Sequence, residues 1–178
     1  MRKNYILLSC FLIFNITTLL SQNWVNNLGS NSVDQGRKIV KDAAGNSYVT
    51  GFFSGTMQLD ASNVLSSAGQ RDVFLAKYDP SGNLEWAKGI GGAEDDEGKD
   101  LAIDNLGNIY IADSNNNVIR RISKTRKVTT LAGSTIGFRD GIGEDAKFNS
   151  PAHLTIDSDY NIYVADSGNH RIRKITQE

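Results

Sequence analysis

The chain has 178 residues, and its 19 Lys and Arg nearly balance its 20 Asp and Glu. A net charge of −1 does not favour binding to nucleic acid, because that function needs a basic surface. The single cysteine, Cys10, excludes an intramolecular disulfide, and two histidines, His153 and His170, are too few for a zinc centre with its three or four protein ligands.

The N-terminus has the layout of a secretory signal peptide. Arg2 and Lys3 form a basic start, an apolar run covers residues 5–20, and polar residues follow from Ser21. The run contains polar interruptions and is shorter than the ~20 apolar residues that span a bilayer. We therefore predict a signal peptide over 1–21 and an exported mature chain over 22–178, with no stable membrane insertion after cleavage. An uncleaved anchor and lipidation at Cys10 are the alternatives.

A repeated unit organises the rest of the chain. An offset of 62 residues pairs Trp24 with Trp86, Gly29 with Gly91, Asp34 with Asp96, Asp42 with Asp104, Gly45 with Gly107, Asn46 with Asn108, and Tyr48 with Tyr110. An offset of 53 residues pairs Asp104 with Asp157, Asn108 with Asn161, Tyr110 with Tyr163, Asp113 with Asp166, Asn116 with Asn169, and Ile119 with Ile172. Three copies of one unit are present, and a fixed period of roughly this size is typical of solenoids and propellers.

Each copy reads as a series of short strands joined by turns. The first copy, about 36–92, predicts strands near 37–41, 46–53, 72–79 and 83–89. The second copy, about 98–133, also predicts four strands, with the last near 127–131. The third, about 151–176, supplies only three. Residues 22–29 align with the fourth strand of the first copy, so they form a spare outer strand.

Two known repeat families resemble this pattern. Residues 161–175, NIYVADSGNHRIRKI, resemble an NHL repeat, and residues 131–133, 140–143 and 148–151 resemble the connector before such repeats in bacterial proteins. Residues 42–51, 72–79 and 81–86 resemble the repeat of secreted bacterial seven-bladed propellers. The resemblance covers nearly all of residues 23–176. It implies an all-β fold of four-stranded antiparallel propeller blades, in a protein that is secreted, periplasmic or on the cell surface of a bacterium.

The number of blades leaves three architectures open. The chain holds strands for about three blades, whereas a closed propeller typically has about 4 to 8. It forms an open arc, or the N-terminal strand closes a partial propeller, or a second copy completes a six-blade ring as a homodimer. Open edges favour pairing with another chain.

The repeat signature contains many polar residues that have structural interpretations. Its members are Asp42, Gly45, Asn46, Tyr48, Asp104, Gly107, Asn108, Tyr110, Asp113, Asp157, Asn161, Tyr163, Asp166, Asn169 and His170. The Asp and Asn side chains suit turns in which they bind their own backbone, His170 suits a turn position, and the tyrosines suit the core. The acidic run at 94–97 predicts a solvated loop. No catalytic, metal or cofactor site is predicted.

Basic residues at equivalent repeat positions predict one partner-facing surface. They are Arg120, Arg121, Arg171, Arg173 and Lys174. We expect a non-catalytic binding or scaffolding module for a protein or carbohydrate partner, with no nucleic acid bound. A propeller enzyme of the lyase or lactonase type and a truncated remnant of a longer propeller protein are the alternatives, since fold alone does not specify function.

Overall fold

The computed structural model describes residue 29 and residues 32–176, and the described residues form an all-β structure. The strands are β1 (Gln35–Lys41), β2 (Ser47–Phe53), β3 (Thr56–Gln58), β4 (Val64–Ser66), β5 (Asp72–Tyr78), β6 (Leu84–Ile90), β7 (Gly98–Ile103), β8 (Ile109–Asp113), β9 (Val118–Ile122), β10 (Val128–Gly133), β11 (Pro151–Ile156), β12 (Ile162–Asp166) and β13 (Arg171–Ile175). Two short 3₁₀ turns, η1 (Gly143–Asp145) and η2 (Ser167–Asn169), complete the elements. Across the described part of the chain, no helix has the length and apolar character needed to cross a membrane.

Three antiparallel sheets correspond to the three repeats. The first sheet has the order β1-β2-β5-β6, the second β7-β8-β9-β10, and the third β11-β12-β13. The first strand of the second sheet, β7, contacts the first strands of the other two sheets, β1 and β11, so the three form the inner side of the arc. The predicted four-stranded antiparallel blades are confirmed, and the third sheet has no fourth strand among the described residues.

The second strand of each blade is the most deeply buried. All seven residues of β2 and all five residues of β8 are buried. Such strands are covered on both faces by neighbouring sheets, which explains their nearly continuous apolar sequences. The apolar run 109–112, which predicted this environment, therefore lies between two blades.

Two apolar clusters hold the three blades together. The cluster between the first and second blades consists of Tyr48, Val73, Leu75, Ile90, Leu101, Ile109, Ile111 and Ile122. The cluster between the second and third blades consists of Tyr110, Ala112, Ile119, Ala132, Ala146, Phe148, Leu154, Ile162 and Val164. The tyrosines at 48 and 110 are thus core residues, as their repetition predicted. Burial of apolar surface at each blade contact stabilises the folded state by roughly 25 cal/mol per Å².

A hairpin that the sequence did not predict covers the outer face of the first blade. The strands β3 and β4 pair with each other, and Met57 and Leu59 pack against Val49, Phe53 and Phe74 of the first sheet. The backbone of Gly29 bonds with that of Gln58 through Gln58 N–H at 3.2 Å. The other residues of the predicted spare strand, 22–28, and the predicted signal peptide lie outside the described residues.

Candidate functional site

The repeat signature forms a hydrogen-bonded turn clamp after the inner strand of each blade. In the second blade, Asp104 Oδ1 accepts bonds from the backbone of Leu106 and Asn108, while its Oδ2 accepts bonds from the Asn108 side chain at 2.7 Å and the Tyr110 hydroxyl at 3.0 Å. The same set of bonds recurs at Asp42 and at Asp157. Gly107 adopts φ +79°, which favours glycine at this turn position. These polar residues fix the hairpin and leave no unbonded carboxylate for chemistry.

The bonds in the first and third of these clamps favour the charged carboxylates. The side chain and backbone of Asn161 and the hydroxyl of Tyr163 lower the pKa of Asp157, although burial opposes them. At Asp42 burial raises the pKa, but the combined hydrogen bonds from Asn46, Tyr48 and Ala44 outweigh it and the pKa is lowered. A carboxyl group held ionised by its own turn is not a general acid near neutral pH.

A second repeated cluster holds the end of each central strand. Asp113 is fully buried and accepts bonds from Asn116 at 3.1 Å and from Arg120 Nε at 3.0 Å. The third blade repeats this arrangement, and Asp166 accepts bonds from Asn169 Nδ2 at 2.8 Å and from Arg173 Nη1 at 3.0 Å. Burial raises the pKa of Asp113. Each buried carboxylate has its own arginine, as buried charges require.

The five predicted basic residues therefore do not share one role. Arg120 and Arg173 point into the molecule and pair with Asp113 and Asp166. Arg171 is exposed and lies over the ring of Phe138 at 4.6 Å. The remaining two, Arg121 and Lys174, line a groove of about 470 Å³ between β10 and β13. The guanidinium Nε of Arg121 is buried there without a hydrogen-bond partner among the described residues.

The prediction of a solvated loop at 94–97 is wrong for its second half. Asp96 and Glu97 are buried, and Glu97 pairs with Arg37 of the innermost strand of the first blade. Burial raises the pKa of Asp96, and the nearby carboxylates of Asp113 and Asp72 raise it further against the bonds from Gly92 and Asn116. The loop passes between the first and second blades, which places its carboxylates inside.

The histidines do not form a metal centre. His153 Nδ1 lies 3.4 Å from Asp100 Oδ2 on the inner strands, whereas His170 has a left-handed backbone at the end of η2. His170 is thus a turn residue, as predicted. Over residues 32–176, no group of three or more His, Cys, Asp or Glu side chains is arranged to hold a metal ion.

The outward face of the third blade is the clearest candidate for a binding surface. Cross-strand pairs place His153, Thr155, Tyr163, Ala165, Ile172 and Lys174 on this face, which we call the terminal face. Ile172 is 72% exposed, whereas its repeat equivalent Ile119 is fully buried against the third blade. The equivalents of Tyr163 and Ala165 in the second blade are also fully buried. The terminal face thus carries the residues of a blade contact without a blade on it.

The tyrosine of the terminal face contacts both a cation and a carboxylate. The ammonium group of Lys174 lies 5.7 Å from the ring centre of Tyr163, and the Tyr163 hydroxyl donates to Asp157 at 3.1 Å. The first blade has the same cation and ring, Lys77 and Tyr48, at 5.5 Å on the face that contacts the second blade. The terminal face therefore shares this pair with a face that contacts a neighbouring blade.

Sequence reasoning missed the terminal face because Tyr163, Ala165 and Ile172 are identical to the core residues at the same positions of the second blade. The signal that could have found it is the register of the pairs. Ala165 lies opposite Ile172, as Ala112 lies opposite Ile119, so a blade that no other described blade covers exposes that row.

Two models of known repeat families match parts of these blades. The model for the NHL repeat matches residues 148–175, which contain the third sheet, and the model for a beta-propeller repeat matches residues 85–118. The chain carries propeller repeats of these two kinds. The resemblance inferred from residues 161–175 is confirmed.

Sequence relatives share segments of the chain. The protein SUPPRESSOR OF QUENCHING 1, chloroplastic, of Arabidopsis thaliana is 41% identical over 73 residues, which are 40% of this chain and 7% of that protein. NHL repeat-containing protein 2 of Bos taurus is 36% identical over 80 residues, 44% of this chain and 11% of that protein. Human Teneurin-4 is 34% identical over 91 residues, 42% of this chain and 3% of that protein. The chain thus spans a small part of the length of each of these relatives.

Solved structures resemble the fold. A putative phosphatase from Bacteroides thetaiotaomicron superimposes with a TM-score of 0.52 at 17% identity, over 79% of this chain and 34% of that one. An auxiliary nutrient binding protein from Bacteroides ovatus gives a TM-score of 0.48 at 17% identity, over 80% of this chain and 48% of that one. At this level of identity the likeness concerns the fold alone.

Proposed function

We propose that this chain is an exported, non-catalytic propeller module that binds a protein partner on the terminal face of its third blade. The single observation that carries the proposal is the contrast between Ile119 and Ile172. The same residue at the same repeat position is fully buried by a neighbouring blade in one case and 72% exposed in the other. A face that has the residues of a covered blade, and that the described residues leave uncovered, supports the proposal of a docking surface.

The surface that covers the second blade indicates what the partner presents. Leu154, Ile162 and Val164 cover Tyr110, Ala112 and Ile119 with aliphatic side chains, and Phe148 closes the outer side. The terminal face has the same tyrosine, alanine and isoleucine. An aliphatic protein surface therefore fits it better than a carbohydrate, which needs hydroxyl-bonding groups. Lys174 provides a positive charge on this face, so an acidic residue at the rim of the partner suits it.

A photo-crosslinking amino acid at position 172 tests the proposal. The exported protein is labelled at 172 in the cell that produces it, and a matched protein is labelled at Leu106, which is 53% exposed in a hairpin turn far from the third blade in sequence. We expect one crosslinked polypeptide at 172 that is absent at 106 and is displaced by excess unlabelled protein. That polypeptide, once purified, should bind the wild type and lose at least tenfold in affinity for Ile172→Asp.

Equal crosslinking at positions 172 and 106 would overturn the terminal face as the binding site. Binding of a purified polypeptide that Ile172→Asp does not weaken would have the same meaning. Glycan binding that depends on Ile172, measured on an array of oligosaccharides, would replace the protein partner with a carbohydrate. Turnover of a substrate by the purified protein would contradict the non-catalytic assignment.

A further inference from the structure

The outer edge of the third blade lacks one strand among the described residues. The first and second blades end in the fourth strands β6 and β10, whereas β13 pairs only with β12 among the described residues. A groove of about 470 Å³, lined by β10, β13 and the segment 140–148, adjoins this edge. Leu131 and Ile175, which line it, pack against the same apolar cluster. An extended strand along the edge of β13 would complete the backbone pairing that an open edge lacks.

We propose that residues 22–28 of a second copy of this chain fill this edge, so that two copies exchange their N-terminal strands. The inference rests on the proposed function, because it names a second copy as the protein that occupies the edge beside the terminal face. Residues 22–28 correspond position by position to β6, which is the outer strand of the first blade, and the offset of 62 places Trp24 at Trp86.

The register of the first blade predicts which residues meet. Lys77 of β5 lies opposite Trp86 of β6, and Leu75 lies opposite Lys88. Lys174 and Ile172 of β13 occupy the positions of Lys77 and Leu75, because Lys77 pairs with Tyr48 as Lys174 pairs with Tyr163. In this register Trp24 would lie opposite Lys174, and Asn26 would lie opposite Ile172.

The arrangement that would receive Trp24 already exists on the third blade. In the first blade, the ring of Trp86 meets the ring of Tyr48 edge-on at 6.3 Å, with the ammonium of Lys77 over the same tyrosine. Tyr163 and Lys174 reproduce the tyrosine and its cation, and the tryptophan is the missing member. An aromatic pair of this kind stabilises by about 0.5–1.5 kcal/mol beyond the area it buries.

The position of Gly29 requires the strand to come from another copy. Gly29 bonds to Gln58 in the hairpin on the outer side of the first blade, and β13 lies beyond the second blade. Packed sheets are about 10 Å apart, so at least two such layers separate Gly29 from β13. Residue 28 lies within about 3.8 Å of Gly29. It therefore cannot also begin a strand beside β13 of its own chain.

Single cysteines on separate chains test the exchange. The exported protein, with Cys10 replaced by serine if the N-terminal segment is retained, is made as Asn26→Cys and as Ile172→Cys with different tags, and the two are mixed and oxidised. We expect a disulfide-linked pair carrying both tags. The matched control Asn27→Cys lies one residue out of register and on the opposite face, and it should link at least fivefold less. Equal linking from positions 26 and 27 would overturn the proposed register.

The mass of the unmodified protein provides the second measurement. Light scattering should give twice the mass of one chain, and Trp24→Asp should raise the dissociation constant at least tenfold. Val33→Asp introduces the same charge at a residue that is 67% exposed and lies outside residues 22–28, and it should leave the mass unchanged. A monodisperse monomer, or a dimer that Trp24→Asp does not weaken, would refute strand exchange. Crosslinking of a different protein at position 172 would still support the proposed function in that case.

Discussion

Arg120 and Asp113 form an ion pair in which the guanidinium Nε donates to a fully buried carboxylate at 3.0 Å. The pair ties the end of β8 to β9, and Asp113 also binds Asn116 in the connecting turn. The third blade repeats it with Arg173 and Asp166 at 3.0 Å. Two residues predicted to face a partner therefore hold the blades from within.

Replacing Arg120 with methionine should destabilise the protein strongly. The substitution leaves Asp113 as a buried carboxylate without its cation, and breaking a buried pair in this way costs about 3–5 kcal/mol. The free energy of unfolding in urea measures the effect. Lys127→Met removes a charge from an exposed residue nearby and should change the stability by less than about 0.5 kcal/mol. A loss at Arg120 as small as that at Lys127 would contradict the structural role.

The hydroxyl of Tyr110 should contribute more than that of Tyr163. Both hydroxyls donate to the clamp carboxylate, at 3.0 Å in the second blade and 3.1 Å in the third, but only Tyr110 is fully buried. Tyr110→Phe should lower the free energy of unfolding by about 1.5–3 kcal/mol, because the bond is made to a charged group out of water. Tyr163→Phe provides the comparison in the same urea titration and should cost about half as much or less. Equal losses would show that burial does not decide the strength of the clamp.

Gly51 should tolerate no side chain. A Cβ atom built there lies 1.9 Å from the carbonyl oxygen of Gln35 on the neighbouring strand, so alanine would push β1 away from β2. We expect Gly51→Ala to cost about 1–3 kcal/mol, the range for an overpacked core. Its cross-strand partner Gly36 has nothing within 4 Å of the equivalent point, so Gly36→Ala is the matched control and should cost less than about 1 kcal/mol. Thermal unfolding would distinguish the two, and a reversed order would refute the close approach.

The buried carboxyl of Asp96 should make the protein less stable as the pH rises. Burial raises its pKa, so between its ordinary pKa and the raised value the folded state holds more protons than the unfolded state, and stability falls with increasing pH. Asp96→Asn removes this ionisation. The variant should gain stability relative to the wild type between pH 4 and pH 7, as measured by urea unfolding at several pH values.

Asp79 provides a control of opposite sign for this experiment. Bonds from the Asn83 side chain and backbone lower its pKa, so its contribution is present above its ordinary pKa and is lost as the pH falls through the lowered value. Asp79→Asn should therefore be less stable than the wild type at neutral pH, and the difference should shrink in acid. A pH-independent difference for both variants would contradict the assigned environments.

The sequence was informative wherever a structural unit is local. The clamp of Asp104, Asn108 and Tyr110 is completed within seven residues, so its recurrence at fixed offsets located the hairpins and the blades. The incomplete third blade followed from the same alignment. The role of a residue whose side chain bonds only to near neighbours in the chain can be predicted from the sequence alone.

Contacts that join distant residues were less predictable. The burial of Glu97 depends on Arg37, sixty residues earlier, and nothing in the run 94–97 indicates that partner. The hairpin Thr56–Ser66 has strands of three residues, which are too short for an alternating pattern to be recognised. The inward direction of Arg120 and Arg173 had a signal, since Asp-x₂-Asn-x₃-Arg recurs in both copies, but charge alone suggested a surface.

The separate apolar clusters between the blades determine the order in which parts of the molecule unfold. Each blade contacts only its neighbours, so the free energy of unfolding is approximately a sum of terms for single blades and for adjacent pairs. The second blade shares two of these contacts, whereas the third blade shares one. Amide hydrogens of β12 and β13 should therefore exchange with solvent through opening of the C-terminal blade alone, at a lower free-energy cost than those of β8. The molecule would then lose its order from the third blade inward, one contact at a time.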